Sequence, residues 1–118
     1  MTPLNPVQIE QHILDLSNQI SKGVSVHSQR LAEAREKERE FLRAFHQARL
    51  RAEGTVADRE SFAILHSMDE REARDVAEIA YRHADKIHKA LDSELRAWQS
   101  IGASVRQQYA VAGRGEGA

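Results

Sequence analysis

The sequence predicts an all-α fold in which two long helices pair antiparallel as a coiled-coil hairpin. Charged residues make up 30% of the 118 residues, aromatic residues make up 5%, and there are two prolines, a composition typical of long helices. Apolar residues recur three and four positions apart along most of the chain, which is the spacing of one helix face. One strong turn signal lies near the middle, at residues 53–58.

The first helix is predicted at residues 6–53. Asn5 is a good N-cap, Pro6 suits the first helical position, and Gln8 can complete a capping box. The apolar repeat that follows has polar interruptions, among them a histidine at position 27. These positions define the seam, the helix face that should pack against the second helix.

The segment around Gly23 leaves two alternatives open. Between Ser21 and Val26 the chain combines a glycine, two serines and two β-branched residues, all of which are weak helix formers. Either the helix continues through Gly23, or it breaks there and residues 6–22 become a separate short helix in a three-helix arrangement.

The turn is predicted at residues 53–55, and the second helix at residues 56–110. Gly54 can adopt the left-handed conformation that ends a helix, and Thr55 with Asp58 can form the capping box of a new one. Because the turn is short, the two helices should be antiparallel neighbours.

The hairpin domain would thus cover residues 1–110. Residues 111–118 contain three glycines and no apolar repeat, so a flexible tail is predicted there.

The apolar spacing also predicts the side chains that form the hairpin core or an interface. Positions equally distant from the turn face each other, so Phe41, Leu42 and Phe45 should pack against Leu65 and Met68 in the best packed part of the molecule. The full predicted set is Phe41, Leu42, Phe45, Phe62, Ile64, Leu65, Met68, Ile87, Leu91, Leu95 and Trp98.

Charge is divided between the two sides of the turn. Residues 43–51 include three basic and no acidic residues, whereas residues 58–78 include seven acidic and three basic residues. This division predicts that Arg43, Arg49 and Arg51 face acids across the turn. Such exposed ion pairs would determine the register of the two helices but add little to their stability.

The length of the helices favours self-association. A helix of roughly 48 residues is about 70 Å long, and two such helices share a seam instead of a compact core. Ile64 is predicted to point away from the facing helix, within an apolar run that is wider than one seam. We therefore expect a homodimer that forms a four-helix bundle.

Several kinds of chemistry have no support in the sequence. There is no cysteine, no two of the six histidines are three or four residues apart, and the glycines near the C-terminus follow a helix instead of preceding one. These features argue against thiolate sites, helical metal pairs and phosphate-binding loops. The sequence predicts no enzyme activity, no cofactor and no metal site.

Contacts with nucleic acid or membranes would have to be local, because the net charge is −1. The candidate nucleic-acid contact is the C-terminal group of Arg96, Arg106 and Tyr109, which combines cations with an aromatic ring. Trp98 and Tyr109 also lie on the predicted seam, which favours packing over binding. No apolar run approaches a membrane span, and the first residues lack a signal-peptide pattern, so a cytoplasmic protein is expected.

The part of the chain from Phe41 to Tyr109 resembles a group of small helical-hairpin proteins of tailed bacteriophages and prophages. The resemblance rests on Ala44-x-x-x-Ala48-x-Leu50, on Ala52-Glu53-Gly54-Thr55-Val56-Ala57-Asp58-Arg59-Glu60, and on Leu95 with Ser100-Ile101-Gly102-Ala103-Ser104-Val105-Arg106. The sequence departs from the pattern at Phe62 and Ile64, where alanines would be expected, and this departure implies a different oligomer.

The resemblance implies a non-enzymatic accessory protein of the host cytoplasm. It would act through its coiled-coil surface on an unidentified protein partner of phage DNA replication or recombination. Two alternatives remain open: a structural or assembly protein of the virion, and an inhibitor of a host defence protein.

Overall fold

The fold is all-α, as the sequence predicts. The computed structural model describes residues 5–116, with side chains described through residue 113. Its three helices are α1 (Pro6–Arg51), α2 (Val56–Leu65) and α3 (Met68–Glu116). The described residues divide into two compact units, in each of which α1 packs antiparallel against α3. Unit 1 contains residues 5–25 and 86–116, and unit 2 contains residues 26–85.

In unit 1 the start of α1 packs against the later part of α3. The Asn5 side chain accepts a hydrogen bond from the Gln8 backbone N–H at 2.8 Å, and the Gln8 side chain accepts one from the Asn5 N–H at 3.3 Å. Ile9 is buried, and it lies against Gly102 of α3. The capping box predicted at this helix start is therefore confirmed.

Unit 1 answers two questions raised by the sequence: whether α1 continues through Gly23, and where α3 ends. Helix α1 continues through Gly23, so the three-helix alternative with a break at that residue is wrong. Helix α3 continues to Glu116, whereas the sequence predicts a flexible tail from residue 111. The glycines there do not end the helix, because glycine weakens a helix by only about 1 kcal/mol per residue. Residues 117–118 of the predicted tail lie outside the described residues.

Unit 2 is a helical hairpin that contains the turn. Gly54 has φ 106°, the left-handed conformation that ends α1. The Thr55 hydroxyl accepts a hydrogen bond from the Asp58 N–H, and the Asp58 carboxylate accepts one from the Thr55 N–H, both at 3.1 Å. The predicted turn and capping box are confirmed, although α1 ends at Arg51 instead of residue 53.

The second predicted helix is interrupted at His66 and Ser67, which separate α2 from α3. Ser67 is buried, and its hydroxyl donates a hydrogen bond to the Ala63 carbonyl oxygen at 2.6 Å. Ala63 and Ser67 therefore occupy the inward positions at this point. Because the inward positions are taken, Leu65 and Met68 lie outside the interior.

Candidate interaction surface

The interior of unit 2 is made of small side chains. Within this unit, all of which the structure describes, the buried apolar residues are Ala34, Ala48, Ala52, Ala63 and Ala77. Alanine contributes little apolar area, so the helices come close together while burying little surface. The fully buried interior of unit 2 therefore contains little apolar surface for helices of this length.

Several large aliphatic side chains of unit 2 lie on its outside, whereas Leu31, Phe41, Phe45 and Phe62 are half-buried. The exposed fraction is 71% for Leu65, 62% for Val76 and 68% for Ile79, and Met68 and Leu50 are also exposed. Single exposed apolar residues are common on soluble proteins, whereas a contiguous group is typical of an interaction surface, and Met68, Val76 and Ile79 line one shallow groove together. Unit 2 thus exposes a small contiguous apolar surface on α3.

A groove of about 450 Å³ runs between α1 and α3 of unit 2. We call it the α1–α3 groove. Its floor is apolar, its first bank belongs to α1 and its second bank to α3. The floor consists of Ala73, Val76, Ala77 and Ala80, the first bank of Arg30, Glu33 and Lys37, and the second bank of Asp69 and Glu72.

The two banks differ in charge. The α1 bank contains two cations and one anion, and its ion pairs are made along the helix: Arg30 with Glu33 at 3.6 Å and Lys37 with Glu40 at 3.2 Å. The α3 bank is wholly acidic, and no side chain of the described residues forms an ion pair with its two carboxylates. The groove therefore has one basic and one acidic side.

The ion pairs predicted across the turn are not formed. The arginines that pair in unit 2 do so within their own helix, such as Arg39 with Glu36 at 2.7 Å. Among the described residues no acid pairs with Arg43, Arg49 or Arg51. The acids of unit 2 that do pair with arginines are held by neighbours one to four residues away on the same helix.

One of these local ion pairs, Arg39 with Glu36, changes the pKa of a carboxyl group. The Arg39 guanidinium donates a hydrogen bond to the Glu36 carboxylate and attracts its negative charge, and together these interactions lower the pKa of Glu36 from its ordinary value. The carboxylate is fully exposed, so this pair is a surface feature.

The predicted core or interface residues fall into two groups. Within one chain six of them are half-buried: Phe41, Phe45, Phe62, Leu91, Leu95 and Trp98. Five are exposed: Leu42, Ile64, Leu65, Met68 and Ile87. The prediction that Leu42, Leu65 and Met68 belong to the best packed part of the chain is therefore wrong, because the alanines and Ser67 fill the inward positions.

The aromatic side chains of the hairpin mostly pack beside polar partners. The Arg74 guanidinium lies 4.4 Å from the centre of the Phe41 ring, and the Phe62 ring stacks on His66 with 3.8 Å between ring centres. The half-buried rings of Phe41 and Phe62 thus each pack against a polar side chain.

The candidate nucleic-acid residues lie in unit 1 and are all exposed. Arg96 forms an ion pair with Asp92 at 3.1 Å, one turn earlier on α3. Tyr109 is 57% exposed, so its predicted place on the seam is wrong. Arg106 and Tyr109 stay together as an exposed cation and ring on one turn of α3, whereas Arg96 is held apart by its own pair.

Two histidines join α1 to α3. In unit 2 the Nε2 atom of His27 lies 3.0 Å from the Asp85 carboxylate, and its ring is 5.5 Å from the Tyr81 ring. In unit 1 the His12 ring lies 4.3 Å from the Trp98 ring. These contacts fix the helix register, and the partners of the two histidines could not be read from the sequence.

Neither a metal site nor a membrane span is found in the part of the chain that the structure describes. No three histidine, aspartate or glutamate side chains of that part converge to hold a metal ion. None of the described helices is both long and apolar enough to cross a membrane.

Comparison with protein-family models, with curated protein sequences and with solved structures gives no match. The resemblance to phage hairpin proteins therefore stays a prediction.

Proposed function

We propose that this protein is a non-enzymatic interaction protein that acts by packing the helices of unit 2 against another protein, first of all a second copy of itself. The observation that supports this proposal is the inverted placement of apolar side chains in unit 2. Alanines fill the interior, whereas Leu65, Val76 and Ile79 are at least 62% exposed.

The energetics favour a covered surface. Burying one large aliphatic side chain contributes about 1.5–3 kcal/mol, so several of them together can offset an association cost of about 4–15 kcal/mol. In an isolated hairpin of unit 2 these side chains stay in contact with water, and this stabilisation is not gained. A second pair of helices would cover the exposed side chains and complete a four-helix bundle.

The biological setting follows from the sequence resemblance. The turn sequence Ala52–Glu60 and the segment Ser100–Arg106 support an accessory role in a phage or prophage, in the host cytoplasm, with a partner from DNA replication or recombination. A virion structural or assembly protein and an inhibitor of a host defence protein are the competing roles. All three use the same interaction surface.

The test of self-association is the mass in solution. Light scattering at micromolar concentration should give twice the chain mass of 13.3 kDa, and a mass of one chain at every concentration would contradict it. Crosslinking in lysogenic or infected cells should then capture a replication or recombination protein. Detection of this protein in purified phage particles would favour the virion role. Crosslinking of this protein to a host defence protein would favour the role as an inhibitor of that protein.

A separate measurement tests nucleic-acid binding. If Arg106 and Tyr109 contact single strands, the protein should retain single-stranded DNA at low salt and release it as salt rises. Retention should fall in the Arg106→Gln variant and stay unchanged in the Arg59→Gln variant, which alters an exposed arginine of α2. Equal behaviour of the two variants would remove the C-terminal group as a candidate contact.

A further inference from the structure

We infer that the α1–α3 groove of unit 2 binds the same groove of a second copy, with the two turns at the same end of the four-helix bundle. This inference rests on the self-association proposed above. It adds the face that is used and the orientation of the two chains, neither of which follows from the apolar pattern of the sequence.

The floor of the groove permits close approach. Ala73, Ala77 and Ala80 have small side chains, and Val76 stands among them with 62% of its surface exposed. Small residues let helix backbones approach, and one larger side chain per copy can fill the space that remains between the two floors. The floor thus admits a second copy that covers Val76. Of the other exposed side chains that support self-association, Ile79 lies with Val76 along an adjoining groove, and Leu65 lines neither groove.

The banks of the groove complement each other. The α3 bank is formed by Asp69 and Glu72, which have no ion-pair partner among the described residues, and the α1 bank contains Arg30 and Lys37. A partner that meets both banks needs anions opposite the basic bank and cations opposite the acidic one. A second copy of the groove carries both.

Charge also selects the orientation. The contacts of His27 with Asp85 and of Phe41 with Arg74 place Lys37 level with Ala77, so Glu72 lies about five residues, or little more than one helical turn, closer to the turn of the hairpin. A two-fold axis parallel to the helices sets α1 of one copy opposite α3 of the other at an unchanged level, which brings the long Lys37 side chain to within little more than one helical turn of Glu72 of the second copy. A two-fold axis across the helices would set α1 against α1 and α3 against α3, which leaves Asp69 and Glu72 without a cation from the α1 bank of the second copy.

Charge-reversal variants test the face. Lys37→Glu turns the net charge of the α1 bank negative, and Glu72→Lys introduces a cation near Lys37 of the second copy, so each variant alone should dimerise at least about tenfold more weakly than the unaltered chain. An equimolar mixture of the two variants should recover a dimer, because the introduced glutamate of one chain then faces the introduced lysine of the other. The matched controls are Arg59→Glu and Glu60→Lys, which make the same kind of charge reversal at exposed positions of α2 and should leave the dissociation constant unchanged.

The outcomes separate this inference from the proposal on which it rests. Circular dichroism should first show unchanged helix content in each variant. If the unaltered chain dimerises and the two groove variants behave like their controls, or if mixing does not restore the dimer, the groove assignment is wrong while self-association stands. A chain that stays monomeric at every concentration contradicts both.

Orientation is tested at the turn. The chain has no cysteine, so Glu53→Cys, at an exposed position of the turn, introduces a single thiol. With both turns at the same end, neighbouring helices about 8–10 Å apart bring the two thiols close enough for a short bifunctional crosslinker. Efficient crosslinking is the expected result. Its failure in a chain that still dimerises would overturn the orientation.

Discussion

The continuity of α1 at Gly23 can be tested by one substitution. The structure places Gly23 inside the helix, and a Cβ atom added there would meet no atom within 4 Å. Gly23→Ala should therefore stabilise the protein, because alanine is the better helix former and also restricts the unfolded chain.

The expected gain follows from helix propensity. Alanine is favoured over glycine by about 0.8–1 kcal/mol in a helix interior. With an unfolding entropy of about 2.1 cal/mol/K per residue over this chain length, the melting temperature should rise by about 3–4 °C. Thermal unfolding followed by circular dichroism at one fixed protein concentration measures this shift.

Gly102→Ala is the matched control in the same unit. Its added Cβ would lie 3.2 Å from Cγ2 of Ile9 and 3.6 Å from Cδ1 of Ile13, so crowding should cancel most or all of the propensity gain. A Gly23→Ala variant with an unchanged or lowered melting temperature would refute the continuous helix. It would support the break that the sequence also allows.

Three further substitutions test the turn, the interior and one surface pair. Gly54→Ala should lower the free energy of unfolding by about 1–2 kcal/mol, since φ is 106° and the new Cβ would lie 2.8 Å from an Asp58 carboxylate oxygen; urea unfolding measures the loss. Ala63→Leu should cost about 1–3 kcal/mol in the same assay, because Ala63 is fully buried in the thin interior. Arg39→Gln should raise the pKa of Glu36 towards its ordinary value, measured by NMR titration of the carboxyl group. Since the folded-state pKa of Glu36 is lowered, the contribution of this pair is present at neutral pH and is lost as pH falls through the carboxyl range.

The elements that local chemistry determines could be predicted from the sequence. The helix start at Asn5 and Gln8 and the turn with its capping box at Thr55 and Asp58 are formed as predicted. Each depends on groups within three residues of one another, so a short segment contains all the information. The antiparallel pairing followed because a short turn between two long helices allows little else.

The packing of unit 2 could not be predicted, because the apolar repeat alone does not say which face is inside. Leu65 and Met68 have the spacing and size of core residues, yet they are exposed. Ser67 takes the inward position instead, and its hydroxyl donates a hydrogen bond to the Ala63 carbonyl oxygen. Ser67 lies within an apolar run, and spacing alone does not show that this polar residue faces the partner helix instead of its larger apolar neighbours.

The exposed apolar side chains of unit 2 also give self-association a quantitative consequence. If Val76 and its neighbours are covered by a second copy, folding and association are linked, and a hundredfold rise in concentration should stabilise the assembled protein by about 2.7 kcal/mol. Its melting temperature must then increase with concentration, whereas a hairpin that is complete alone would melt at one temperature. Scans at micromolar and at hundredfold higher concentration distinguish the two, and the Lys37→Glu variant should show the weaker dependence at the low end. Coinciding scans of the unaltered chain would mean that the alanine interior of unit 2 suffices without a partner copy.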